Sequence, residues 1–349
     1  MNINPQHIES LKSIQRRLGE PFYNEQEARF LYLVATHSGY FIQRQYLTFR
    51  DQKYGYAIAS LVSKVLEKGH GRQRRYQGHG NVYHLFGRAV YAAIGQQNNR
   101  NRRVHQLEYL QGRLAALDYV LAHQEKEYLE TEDQKVSFFS QELQLPMDSL
   151  PKKTFYGKNQ NGTTARYFPD NFPMFLSRPD EASRPFITFS YMDAGRVGFG
   201  QYLTHLIDYQ PLFKQLHAFR FIFASSESSR FGPASRHFSR VILNGQGESE
   251  GPTELLRYFH LRAAREAKDY AKLSMENIHF YADAERIYGA DRYQALYRKW
   301  RRGETAEAEV MEHSRQQSDP IPGRFETYTL PSNRYIFRPQ RVGEQKLAS

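Results

Sequence analysis

The sequence predicts an α+β fold, with a small basic helical unit closed by a hairpin at the N-terminus and a mixed α/β sheet domain after it. Three observations carry this. Apolar residues recur at helical spacing from residue 24 to 68, then give way to a glycine-bounded basic segment with strand-like alternation. Formal charge is segregated, since residues 1–103 hold 16 Lys and Arg against 6 Asp and Glu, a net +10 of the chain's +11. Beyond residue 130, short and nearly continuous apolar runs alternate with helical patterns, as expected of a buried mixed sheet with a right-handed strand–helix–strand crossover.

The 349 residues suffice for two domains with their own cores, and 40% hydrophobic and 14% aromatic content describes a folded chain. The absence of cysteine excludes disulfides, Cys-based zinc sites and thiol catalysis, and it fits a reducing cytoplasm. The longest apolar runs, such as residues 219–224, are too short to span a bilayer, and residues 1–20 lack a signal-peptide core. A cytoplasmic protein without membrane contact is expected.

Ile8, Leu11, Ile14 and Leu18 give a short first helix that ends at Gly19 and Pro21. Asn24 is placed as the N-cap of the next, with Glu25 and Glu27 in its first turn, Ala28, Leu31, Tyr32 and Ala35 on one face, and Gly39 as its stop. A brief helix follows over 42–47. A third runs from Asp51 to Lys68, with Ile58, Leu61, Val62, Val65 and Leu66 inward and Lys53, Tyr54, Ser60 and Lys64 outward. Then come Gly69 and Gly71, the cluster Arg72, Arg74 and Arg75, Gly78 and Gly80, and the strand-like run 81–85. Three helices and a glycine-bounded basic hairpin describe a winged helix-turn-helix, whose third helix enters the major groove. Lys53, Tyr54, Ser60 and Lys64 are the candidates there for base edges or phosphates, and Arg72, Arg74 and Arg75 for phosphates. Double-stranded DNA is the expected partner; an acidic protein is the other partner that such a charge bias would suit.

Residues 1–95 thus form the DNA-binding domain, with a short helix over 87–95. Residues 96–103 are read as a basic linker whose Arg100, Arg102 and Arg103 reach phosphates or serve as a solvated spacer. From 104 to about 128 a helix carries Leu107, Leu110, Leu114, Leu117 and Leu121, a stripe for packing on a sheet or, alternatively, for coiled-coil pairing. Residues 136–139 read as a strand, 144–163 as an exposed loop, 166–176 as a strand broken by Pro169 and Pro173, 186–192 and 219–224 as strands, and 198–215 as the helix between the last two. Helices are expected over 253–272 and 282–302, closing a mixed α/β domain of residues 104–302. A mobile polar stretch over 303–320 and a terminal hairpin near 327–337 make up residues 303–349. The loop 245–251 misses the dinucleotide pattern because Glu250 stands where a glycine is needed. Neither a P-loop nor a nucleophile elbow occurs, and the 13 histidines include no HExxH.

Several short segments together resemble the replication-relaxation family of plasmids and integrative elements. They are the helical block, Arg103 to His105, the run Tyr167-Phe168-Pro169-Asp170, the strand end from Tyr191 through Asp193 to Gly195, and Asp208-Tyr209. The resemblance covers about residues 24–225. It implies a winged helix joined to a restriction-endonuclease-like core, a role in plasmid replication control or DNA relaxation and mobilisation, and partners such as a second copy or other replication and transfer proteins. A nuclease of that kind holds Mg²⁺ on paired carboxylates beside a lysine. Asp170 and Asp193 are the candidates, but Tyr191 stands where an acid is expected and the strand has no lysine. Asp170 is equally a turn residue after Pro169, and Asp193 a strand-ending cap. The core therefore reads as a non-catalytic nuclease-like domain that needs no cofactor. The alternative is a Mg²⁺-dependent DNA endonuclease targeted by its winged helix.

Overall fold

The computed structural model describes residues 4–14, 22–52, 56–76, 80–156, 163–177, 186–193, 195, 198–243, 251–289, 291–315 and 323–331. Helix α1 (Pro5–Ser13) packs on α2 (Glu25–His37). A reciprocal cap starts α2: Asn24 Oδ1 accepts from the Glu27 backbone N–H at 2.9 Å, and Glu27 Oε2 accepts from that of Asn24 at 2.9 Å. Strand β1 (Tyr40–Ile42), helices α3 (Gln43–Phe49) and α4 (Ala57–Glu67), and strands β2 (Gly71–Tyr76) and β3 (Gly80–Leu85) follow. The strands form an antiparallel sheet in the order β1-β3-β2, with Arg72 opposite His84 and Arg74 opposite Val82. Ile58, Leu61 and Val65 are buried as their spacing predicts. Phe30 joins the layers, meeting Phe41, Tyr46 and Phe49 at ring separations of 4.9–5.5 Å.

After α5 (Arg88–Ala93), the segment expected to be a linker is instead packed into the fold. Residues 100–102 form a 3₁₀ turn, and Asn101 is fully buried. Its amide donates to the carbonyls of Ala35 and Thr36, at 2.9 Å each, near the end of α2. Gly39 makes this approach possible: its φ is +79°, and a Cβ there would stand 2.4 Å from the Asn101 carbonyl oxygen. Replacing Asn101 with Ala should cost about 2 kcal/mol by orphaning two buried carbonyls. A lower urea midpoint would register it, whereas an unchanged midpoint would mean that the turn is a spacer after all.

Helix α6 (Leu107–Ala122) joins the two halves. Leu110 and Leu114 pack with Tyr40, Tyr76 and Val82 beneath the hairpin. Ala115, Ala116, Tyr119 and Val120 share a cluster with α2 residues and with Met192, Ile222 and Ala224 of the second sheet. The helix is buried nearly all round, and through it one cluster of buried residues runs from the N-terminal unit to the second sheet.

The second sheet has the order β10-β9-β8-β7-β4, built from β4 (Glu127–Tyr128), β7 (Met174–Ser177), β8 (Phe186–Met192), β9 (Phe219–Ser225) and β10 (Gly323–Thr329). Strands β8 and β9 are parallel with α8 (Gly200–Phe213) between them in sequence, as the apolar pattern predicts. Strand β10 is parallel to β9, while β7 is antiparallel to β8. The fold is therefore mixed α+β.

Several local expectations are refined. Residues 136–139 are helical, because Thr131 and Gln134 form a capping box that starts α7 (Glu132–Ser137), and a π turn over Phe138–Glu142 buries both Phe138 and Phe139. The presumed loop 144–163 contains β5 (Lys152–Tyr156), paired with β6 (Thr163–Tyr167) in a separate hairpin. Residues 303–320 are not simply a polar spacer: α13 (Glu307–Arg315) docks on α10 (Gly251–Glu266) through the fully buried Val310. Thr327-Tyr328-Thr329 lies in a sheet-edge strand, and the other half of the expected hairpin, 334–337, falls outside the described residues. Helices α9 (Phe231–Val241), α11 (Met275–Tyr288) and α12 (Asp291–Arg301) complete the chain, α11 and α12 standing where one helix over 282–302 was expected. Among the described residues no helix is long and apolar enough to cross a membrane.

Candidate functional site

The sequence-selected cations divide into outward and inward groups. Arg72, Arg74 and Arg75 are exposed on β2, and among the described residues none has a carboxylate within ion-pair distance. Alternation along the strand puts Arg72 and Arg74 on one face and Arg75 on the other. Among the described residues their ring contacts are local, Arg72 at 5.7 Å from the Phe86 centroid and Arg74 at 5.3 Å from Tyr76. Arg103 is exposed, and so is Ser60 on α4. Lys53 and Tyr54 lie outside the described residues.

The inward group departs from the sequence reading. Lys64, 29% exposed, donates at 2.7 Å to Glu27, whose side chain is 2% exposed, so its charge is committed within the unit. Arg100 donates to the carbonyls of Pro169 and Phe168 at 3.1 and 3.2 Å and stands 3.7 Å from Glu132. Arg102 donates to the carbonyls of Phe86 and Gln97. These arginines tie segments together.

A second feature is a cleft of ≈ 740 Å³ between α6, the end of β8, α8 and α11. It gathers residues from segments far apart in sequence, including His105, Pro169, Asp170, Tyr191, Asp193 and Asp208. It lies beyond the carboxyl end of the parallel strand β8, where open α/β sheets commonly bind ligands.

Asp170 and Asp193 both reach this cleft, and each is engaged by a basic partner. His205 Nδ1 is 2.6 Å from Asp170 Oδ2. Burial pushes the Asp170 carboxyl upward, but the His205 bond and the charges of His205, Arg113 and Arg100 prevail, leaving it below the usual value. Arg230 donates to both oxygens of Asp193, and the Ser225 hydroxyl donates to Oδ2 at 2.9 Å. Tyr191 sits in an aromatic group with Tyr202 and His205, at 4.9 and 5.2 Å.

No family model, curated protein or solved structure matches this chain. What the cleft can do must therefore be read from its own chemistry. Among the described residues no group of three or more His, Asp or Glu could hold a metal. A Mg²⁺ site of the two-carboxylate kind fits this donor set poorly, because both oxygens of Asp193 already accept from a guanidinium.

Four residues of the cleft were not singled out from sequence. Arg113 interrupts the leucine stripe of α6, His205 lies on the buried face of α8, and Arg230 and Arg286 follow no motif. The signal for Arg113 was available, since a cation within an otherwise apolar helix calls for an explanation. Lys135, on α7, is a buried lysine packed beside the segment that follows Asp170. Its side chain is buried, and burial with the charges of Arg100 and Arg113 pulls its ammonium down to about 7. Its contacts are the Asn171 side chain and the Phe172 carbonyl, at 3.4 and 3.5 Å.

Proposed function

We propose that the protein binds duplex DNA through residues 24–95, acting as a winged helix with α4 in the major groove and the β2–β3 hairpin on the phosphate backbone. The observation that carries this reading is the set of exposed arginines Arg72, Arg74 and Arg75, without carboxylate partners among the described residues, in a region that holds nearly all of the net charge. The order helix, strand, two helices, hairpin, with β3 central in the sheet, supports it. We read the second sheet as a nuclease-like scaffold and not as a cutting enzyme, on the engagement of Asp193 by Arg230. The process, replication control or mobilisation of a mobile element, follows from the sequence resemblance.

Fluorescence anisotropy with a labelled duplex, over a salt series with and without Mg²⁺, tests the reading. Binding that falls steeply with salt, without cleavage, is expected; salt-independent binding or none would sink it.

Its ion pair with Glu27 sets Lys64 apart from the exposed arginines. Lys64→Ala should destabilise the fold by about 2 kcal/mol, because it strands a buried carboxylate, while leaving the salt slope of DNA binding unchanged. A wild-type melting temperature with a flatter slope would return Lys64 to the DNA interface.

A further inference from the structure

We propose that the central cleft binds a phosphate monoester of nucleotide size, with its phosphate at the start of α8. Several positive groups of the cleft have no hydrogen-bonded or ion-paired partner among the described residues. Helix α8 has no side-chain N-cap, and the backbone N–H groups of Gly200, Gln201 and Tyr202 have no acceptor among the described residues. The helix therefore presents its positive pole to the cleft. Arg286, from α11, lies directly on Gly200, where a Cβ would stand 1.9 Å from the guanidinium Nη1. Among the described residues Arg286 has no ion pair. A guanidinium laid against a helix N-terminus adds positive charge to positive charge, and an anion shared by both resolves the conflict.

Two further groups line the same cleft. Arg113, on the α6 wall, has neither a hydrogen bond nor an ion pair among the described residues. His205, 3% exposed, spends Nδ1 on Asp170 and leaves Nε2 buried without a partner. An unsatisfied buried ring nitrogen in a cleft wall is costly unless something fills the cleft.

The shape of the donor set selects the ligand. Guanidinium forks and helix N–H groups suit the several oxygens of a phosphate better than a single carboxylate. The volume, ≈ 740 Å³, lies in the range of about 300–1,000 Å³ typical of small-molecule sites and exceeds what a bare oxyanion requires. Tyr109, 53% exposed, and Phe199 give aromatic surface for a ring. Asp208 and Asp283, also in the wall, offer acceptors for sugar hydroxyls. The same two acids disfavour a chain of phosphates, so a single nucleotide fits better than a nucleic-acid strand.

Calorimetry on the full chain with adenosine monophosphate, adenosine, inorganic phosphate and a 5′-phosphorylated single-stranded oligonucleotide tests this. The monophosphate should bind, and adenosine and inorganic phosphate should each bind at least about ten-fold more weakly, the size of one lost charge-assisted contact. Arg286→Ala and Arg113→Gln should each weaken monophosphate binding by about the same factor, with wild-type circular dichroism and melting temperature. Lack of monophosphate binding, equal affinity for adenosine, unchanged affinity in both variants, or capture of the oligonucleotide in its place would overturn the proposal. The variant lacking Arg72, Arg74 and Arg75 should bind the monophosphate normally, so failure of the DNA reading would leave this one standing.

Discussion

Replacing Arg72, Arg74 and Arg75 together with alanine should reduce duplex affinity about 500-fold at 0.1 M salt and flatten the slope of log K against log salt by about 2.7, at about 0.9 for each lost phosphate contact. The effect should be uniform across DNA sequences, because phosphate contacts position the protein without reading bases. Stability should change little. The three side chains are exposed and have no carboxylate partner among the described residues, and the rings of Phe86 and Tyr76 offer exposed cation–π contacts worth about 1 kcal/mol at most. The control is therefore clean: a wild-type melting temperature with weaker, less salt-sensitive binding is the expected pair of readings. An unchanged slope would mean that the hairpin does not touch phosphate, and the winged-helix reading would fall with it.

The local code of the N-terminal unit was legible because each of its signals is short-range. Asn24 and Glu27 sit three residues apart and cap each other; Ile58, Leu61 and Val65 share a helical face; glycines bound the hairpin. The strands β8 and β9 were equally plain, as near-continuous apolar runs. What escaped depended on partners remote in sequence. Residues 100–102 look like a polar spacer until Asn101 is seen filling the space beside Gly39, more than sixty positions earlier. Strand β10 alternates like a solvent-facing hairpin arm, but its partner is β9, about a hundred residues upstream. Phe138 and Phe139 fall in a four-residue segment, Val136-Ser137-Phe138-Phe139, too short to distinguish strand from helix. In the cleft, Asp170 and Asp193 were found by their motif positions, whereas their partners His205 and Arg230 belong to segments without a motif. The charge of Lys64 was assigned by helical face alone, and face alone does not reveal a buried acid such as Glu27 across the interface.

Acidification should loosen the junction between the N-terminal unit and α6 well before carboxylates protonate. Tyr40 is the pivot there. It stacks on His84 at 4.2 Å and 10°, meets His105 at 6.1 Å, and accepts from the His105 backbone N–H at 2.9 Å through its hydroxyl. His84 Nε2 lies 3.1 Å from the Asn101 carbonyl, so that nitrogen carries the hydrogen and donates. Its Nδ1 is then the site a second proton would take, and it is buried without an acceptor. Burial, helped by Arg72 and His105, pulls the His84 ring down to about 4 despite the Asn101 bond; burial, with Arg113, does the same to His105. Both rings are neutral in the folded protein at pH 5, but in the unfolded chain they titrate near 6.5. Between those values the unfolded state binds more protons, so these two rings lower stability as pH drops from about 6.5 towards 4 and contribute no further change above 7. At about 1.4 kcal/mol per unit, the two rings together should cost on the order of 4 kcal/mol between pH 7 and 5. Asp170, held low, loses its contribution only below the usual carboxylate range and does not enter this window. Urea midpoints measured at pH 7, 6 and 5 should fall in step, and His84→Gln, which cannot take up the proton, should remove about 2 kcal/mol of the fall, the share of one ring, while His237 and His70, whose rings burial also lowers, keep theirs. Midpoints that stay level down to pH 5, or an equal fall in the His84→Gln protein, would show that the junction does not hold its histidines neutral.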